Sequence, residues 1–155
     1  RMAGAARLRA AAHPSLKEED MSLSPQEALI YLMVVTASAD TQMSERELKR
    51  VEELIRRLPV FRGYDPARLP HDANTCVDLI NEGSDIDRVL DMAIDALPER
   101  LQDTAYALAV EIAAVDLKLE QTELRFLEEI RDRLDLDRLV TVAIEAAARA
   151  RYRHA

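Results

Sequence analysis

Two acids seven residues apart occur twice in this chain, as Asp40 with Glu47 and as Asp116 with Glu123. Each pair sits in the same surroundings. An alanine stands three residues before the aspartate (Ala37, Ala113), and a leucine directly follows the glutamate (Leu48, Leu124). Carboxylate oxygens are hard donors that suit Ca²⁺ or Mg²⁺. Four gathered in one place would repel one another, so either a cation lies among them or some hold protons. The four are therefore a candidate set for a divalent cation, Ca²⁺, Mg²⁺ or Zn²⁺. The same residues also have an ordinary structural use. Ser44-Glu45-Arg46-Glu47 spells a capping box, in which Glu47 returns a hydrogen bond to the backbone of Ser44. Glu123 has the matching first-turn place, where the helix dipole favours an acid. Asp40 and Asp116 stand where aspartate commonly closes a local turn. Both readings stay open on the sequence alone.

Other chemistries find less support. An EF-hand needs alternating oxygen ligands and a central glycine, whereas Asp40 is followed by Thr41-Gln42-Met43-Ser44. A di-iron bundle needs Glu-x-x-His, and none of His13, His71 and His154 has a glutamate three residues before it. Zinc held by sulfur and imidazole needs clusters of Cys and His, and Cys76 stands alone. Its neighbours Thr75, Val77 and Leu79 predict a buried thiol. There is no Gly-x-Ser-x-Gly, no phosphate-binding glycine loop, and Gly totals 3 in the whole chain. The expectation is a protein that is not an enzyme, with no catalytic residues and no organic cofactor. An acid–base enzyme would need a closed apolar pocket beside the four acids.

The elements that must carry these residues are helices. Ser24-Pro25-Gln26-Glu27 caps a helix running to about Ser38, with Ala28, Leu29, Leu32, Val35 and Thr36 on one side. The Ser44 box opens a second, with Leu48, Val51, Ile55 and Leu58 at helical spacing and Pro59 as its stop. Gly63, Pro66 and Pro70 punctuate 60–71 into a loop with one turn of helix, whose Phe61 and Tyr64 are expected to tuck into the bundle, the alternative being a contact for a partner. Asp72 caps a helix ending near Gly83, Ser84 or Asp85 starts the next, and Pro98 opens a longer one. Two more cover about 120–134 and 136–150. No segment alternates as a strand would. The fold class is all-α, a bundle of about seven helices.

A shift of 76 positions lays Ala37–Leu58 over Ala113–Leu134. Identical pairs include Asp40 with Asp116, Glu47 with Glu123, Glu52 with Glu128, Glu53 with Glu129 and Arg57 with Arg133. Two copies of one helix–turn–helix unit follow, and neither can bury its apolar face alone. This doubled Ala-x-x-Asp-x6-Glu-Leu pattern, carried by Ala37, Ala39, Asp40, Glu47 and Leu48 and again by Ala113, Asp116, Glu123 and Leu124, resembles the tellurite-resistance TerB-like family. The relatives of that family include the N-terminal region of DjlA-type membrane co-chaperones. The resemblance spans roughly Pro25 to Ala147. It implies a non-enzymatic helical interaction domain linked to stress responses and membrane-associated complexes, with acidic positions suited to a divalent cation. One departure is plain: the family usually has glycine after each aspartate, and here Thr41 and Leu117 stand there. Glycine reaches left-handed turns that a β-branched residue adopts only at a cost, so the connection should take another shape.

Composition bounds the partners. With 29 acidic against 21 basic residues, the net charge is −8. Such a surface repels phosphate backbones and anionic lipid headgroups, so neither nucleic acid nor direct membrane insertion is expected. A protein partner fits better, with Glu52-Glu53 and Glu128-Glu129 as acidic faces that are solvated or dock something basic. A homodimer formed through the second helices is the adaptor alternative, without a metal site. A lone cysteine suits a reducing compartment, and a cytoplasmic location is expected. Residues 1–20 read as an extension ahead of a natural start at Met21, leaving 21–155 as one domain. At the other end, Arg149, Arg151, Arg153 and His154 complement a helix dipole.

Overall fold

The computed structural model describes residues 22–38, 43–83, 85–115 and 121–155, the side chains of 121–124 excepted. The expected extension, residues 1–20, lies outside the described residues. Seven α-helices follow one another among the described residues: α1 (Pro25–Ala37), α2 (Glu45–Arg57), α3 (Leu69–Asn81), α4 (Ile86–Asp95), α5 (Gln102–Val115), α6 (Gln121–Arg133) and α7 (Arg138–Arg151). No strand occurs among the described residues. The class is all-α, as the periodicity predicts.

The helix starts follow from local hydrogen bonding. The Ser24 Oγ accepts from the Glu27 backbone N–H at 3.2 Å, and Pro25 fills the first helical position, where its missing N–H is no loss. Asp85 and Asp137 cap α4 and α7, accepting from the backbone N–H of Arg88 and Leu139, each at 2.8 Å. After α3 the chain turns at Gly83 with φ of 91°, a backbone state glycine reaches without strain.

α1 is the centre of the bundle, with α3, α4 and α5 packed around it. Every residue from Ala28 to Ala37 is buried, so the expected one-sided stripe is incomplete: Ile30, Tyr31, Met33 and Val34 are enclosed as well. A helix surrounded by neighbours has no solvent face to mark with charge. α5 is the second central helix, flanked by α1, α7, α2 and α6. Its Ala105, Tyr106, Leu108, Ala109 and Ile112 join the same core. The two halves are built alike, since α3 packs on α1 as α7 packs on α5, and α1 meets α5 at the centre. α2 keeps an outer face of charge and buries Val51, Leu54 and Ile55.

The segment between α2 and α3 holds two 3-10 turns, Pro59–Phe61 and Pro66–Arg68, and α3 begins three residues earlier than its expected cap. Pro70 stands in the first turn of α3, where proline is tolerated, so it starts the helix and does not close the loop. Asp72 is consequently inside α3. It is buried and accepts the hydroxyl proton of Tyr64, with the Arg68 guanidinium 3.8 Å away. Phe61 and Tyr64 are buried as expected, and their rings meet edge to face with centroids 6.4 Å apart. Leu48 differs from its expected role in the apolar stripe of α2, being 39% exposed.

Burial sets a pH response. It pushes the Cys76 thiol from 9.0 up to about 12. Burial likewise pushes Tyr31 from 10.0 up to about 12, with Cys76, Asp72 and Glu27 adding charge repulsion. Tyr64 and Tyr106 are raised too, first by burial and then by hydrogen bonds to Asp72 and Glu145. Each group holds its proton more tightly folded than unfolded. Their contribution is therefore complete below the ordinary values of 9.0 and 10.0 and is lost as pH rises toward 12. Thermal melts are expected to give a flat midpoint up to pH 9 and a steep fall above it. A midpoint unchanged at pH 11 would show these groups to be solvated in the fold.

Candidate functional site

α2 and α6 carry the two glutamates at the same place, Glu47 and Glu123 each being the third residue of its helix. For Glu47 the cause is visible. The Ser44 backbone N–H donates to Glu47 Oε2 at 2.9 Å, and the Glu47 backbone N–H donates to Ser44 Oγ at 3.2 Å. This is the reciprocal capping box that the sequence predicts. Glu47 is 6% exposed as a residue, a depth that ionised glutamates rarely reach without partners. Asp40 and Asp116 lie outside the described residues, as does the side chain of Glu123. Of the four predicted ligands, the structure thus sets out the surroundings of Glu47 alone. Among the described residues, no group of three or more His, Cys, Asp or Glu side chains is placed to hold a metal ion.

A second polar cluster, which the sequence does not announce, lies where α2, α5 and the end of α7 meet. Glu111 of α5 is its hub, with a side chain only 13% exposed. One of its oxygens accepts from Arg50 Nη2 at 2.9 Å and from the Tyr152 hydroxyl at 2.5 Å. The other pairs with Arg151. Arg50 also donates to the Tyr152 hydroxyl at 2.9 Å and pairs with Glu53 at 3.1 Å. Low local polarity strengthens such a network when its groups are satisfied. The terminal arginines, expected only to complement a helix dipole, here include one that grips α5. A signal was present in the repeat: the positions matching Arg50, Glu111 and Tyr152 are Phe126, Val35 and Cys76, all buried and apolar.

This network forms one wall of an open cleft of about 490 Å³. Arg46 and Lys49 stand on its rim, and Val115 and the Tyr152 ring line its apolar part. Cys76, by contrast, has no access to any ligand, being fully buried against the Tyr31 carbonyl. The acidic faces are largely solvated. Glu52 pairs with Arg56 at 3.0 Å within α2, and Glu128 and Glu129 are exposed on α6. No helix among the described residues is long and apolar enough to cross a membrane.

Comparison with known proteins places a family over this geometry. The model of the family described as Tellurite resistance protein TerB matches residues 26–146. That span runs from the first turn of α1 to the middle of α7 and takes in both helix-pair units. No curated protein and no solved structure matches the chain.

Proposed function

The chain belongs to the tellurite-resistance TerB family, and from that premise we propose that it is a non-enzymatic interaction domain of a stress-response assembly in the cytoplasm. In this reading protein partners join it to membrane-associated complexes, and Asp40, Glu47, Asp116 and Glu123 take up a divalent cation. The supporting observation is the duplicated acid pattern inside the matched span, with Glu47 and Glu123 each on the third residue of its helix. The burial of Glu47 beside its capping partner fits the same reading, since a carboxylate removed from water gains from a nearby cation. Oxygen ligands alone favour Ca²⁺ or Mg²⁺ over Zn²⁺.

Calorimetric titration of the full chain with Ca²⁺, Mg²⁺ and Zn²⁺ tests it. One of them is expected to give saturable heat and a raised melting midpoint, both lost in the Asp40→Asn, Asp116→Asn double variant. A variant that melts as the parent does without cation keeps the result interpretable. No heat and no thermal shift with any of the three would leave an interaction module without a metal site. Pull-down from native lysate, with and without chelator, then shows whether partner capture depends on the cation.

A further inference from the structure

We propose that the cleft between the first half of α2 and the end of α7 binds an acidic segment of a partner protein. The inference goes beyond the cation reading and stands without it. Four cations face this cleft, Arg46, Lys49, Arg50 and Arg151, against the carboxylates of Glu53 and Glu111. A local excess of positive charge is unexpected on a chain of net charge −8. Arg46 and Lys49 are exposed and have no acidic partner among the described residues. Helix stability does not account for Arg46, because a cation in the first turn meets the positive end of the dipole.

The other two cations are fixed in advance. Glu111 holds Arg50 and Arg151 from behind, and the Tyr152 hydroxyl bridges Glu111 and Arg50. Guanidinium groups so positioned lose less freedom on meeting a carboxylate. The half-buried Tyr152 and Val115 supply apolar contact beside them. A cleft this open does not enclose a small molecule, which usually buries most of its surface, but it suits a segment of chain laid along it. The net charge of −8 opposes such a segment over much of the remaining surface, and a second basic pocket, at Arg56, Arg57 and Arg62, lacks among the described residues an acid that fixes its guanidinium groups from behind as Glu111 does here. A nucleic acid is disfavoured by that same field, and Tyr152 alone is no stacking platform.

The test uses the full chain in cation-stripped buffer and a fluorescein-labelled nonapeptide of Glu and Asp with one central Leu. Anisotropy is expected to show saturable binding that a Lys-rich nonapeptide does not give. Raising NaCl from about 50 to about 300 mM shortens the range of charge attraction and is expected to weaken it. The Arg46→Glu, Lys49→Glu double variant is expected to weaken it at least about tenfold, with an unchanged melting midpoint because both side chains are exposed. No saturable binding, or binding indifferent to the double variant, would overturn the proposal. So would single-stranded DNA displacing the peptide at lower concentration than unlabelled peptide does. A doubled mass by light scattering that the double variant abolishes would instead assign the cleft to a second copy of the chain.

Discussion

Truncating Leu32 to alanine is expected to cost about 3 kcal/mol, the middle of the range for a leucine removed from a closed core. Leu32 is fully buried on α1, which three other helices surround, so no neighbour can collapse into the space without disturbing a second contact. The cost is a large share of the 5 to 15 kcal/mol, roughly, that hold a domain of this size together. Urea titration reads it as a lower midpoint with an unchanged slope. Leu48→Ala is the matched comparison. Leu48 belongs to the repeated Glu-Leu pair but is 39% exposed, and its loss should stay within about 0.5 kcal/mol. Equal costs at the two leucines would contradict the central place of α1.

Glu111→Ala should be the most damaging change outside the apolar core, at about 2 kcal/mol. It removes the one carboxylate that serves Arg50, Arg151 and Tyr152 together. Arg50 suffers most. Its Nε is buried and has no hydrogen-bond partner among the described residues, so losing Glu111 leaves a half-buried guanidinium held by Glu53 and Tyr152 alone. Arg151 is 52% exposed and turns to water at little cost. Tyr152→Phe, which removes one hydroxyl and keeps the ring, should cost about 1 kcal/mol. A double-mutant cycle on Arg50 and Glu111 is expected to show coupling above about 0.5 kcal/mol. Additive effects would mean that the two merely lie near each other.

The sequence carried the helices and their caps plainly. Ser24, Ser44 and Asp85 each announce a start, and each does so through a bond between neighbours in sequence; Asp137, inside the expected 136–150 helix, turns out to be the cap of α7. Asp72 looked like another such cap and is not one. Its partner Tyr64 lies across a loop, and no local pattern distinguishes a capping aspartate from one that answers a buried phenol. α1 hid its full burial because a helix enclosed on all sides has no periodic contrast. Ties between distant helices were the least legible part. The duplication keeps apolar register but not polar partners: Tyr106 bonds Glu145 at 2.5 Å, while the matching positions are Ile30 and Leu69. The basic cleft was invisible for the same reason, since Arg151 and Tyr152 join Arg50 only after folding.

The placement of Cys76 bears on how a member of this family can meet a chalcogen oxyanion. Such ions oxidise thiolates, and this chain has one sulfhydryl to offer. It is sealed at the contact of α3 with α1 and kept protonated by its surroundings. The folded domain therefore presents no accessible thiolate to such an ion, and any thiol chemistry at Cys76 has to wait for the contact between α3 and α1 to open.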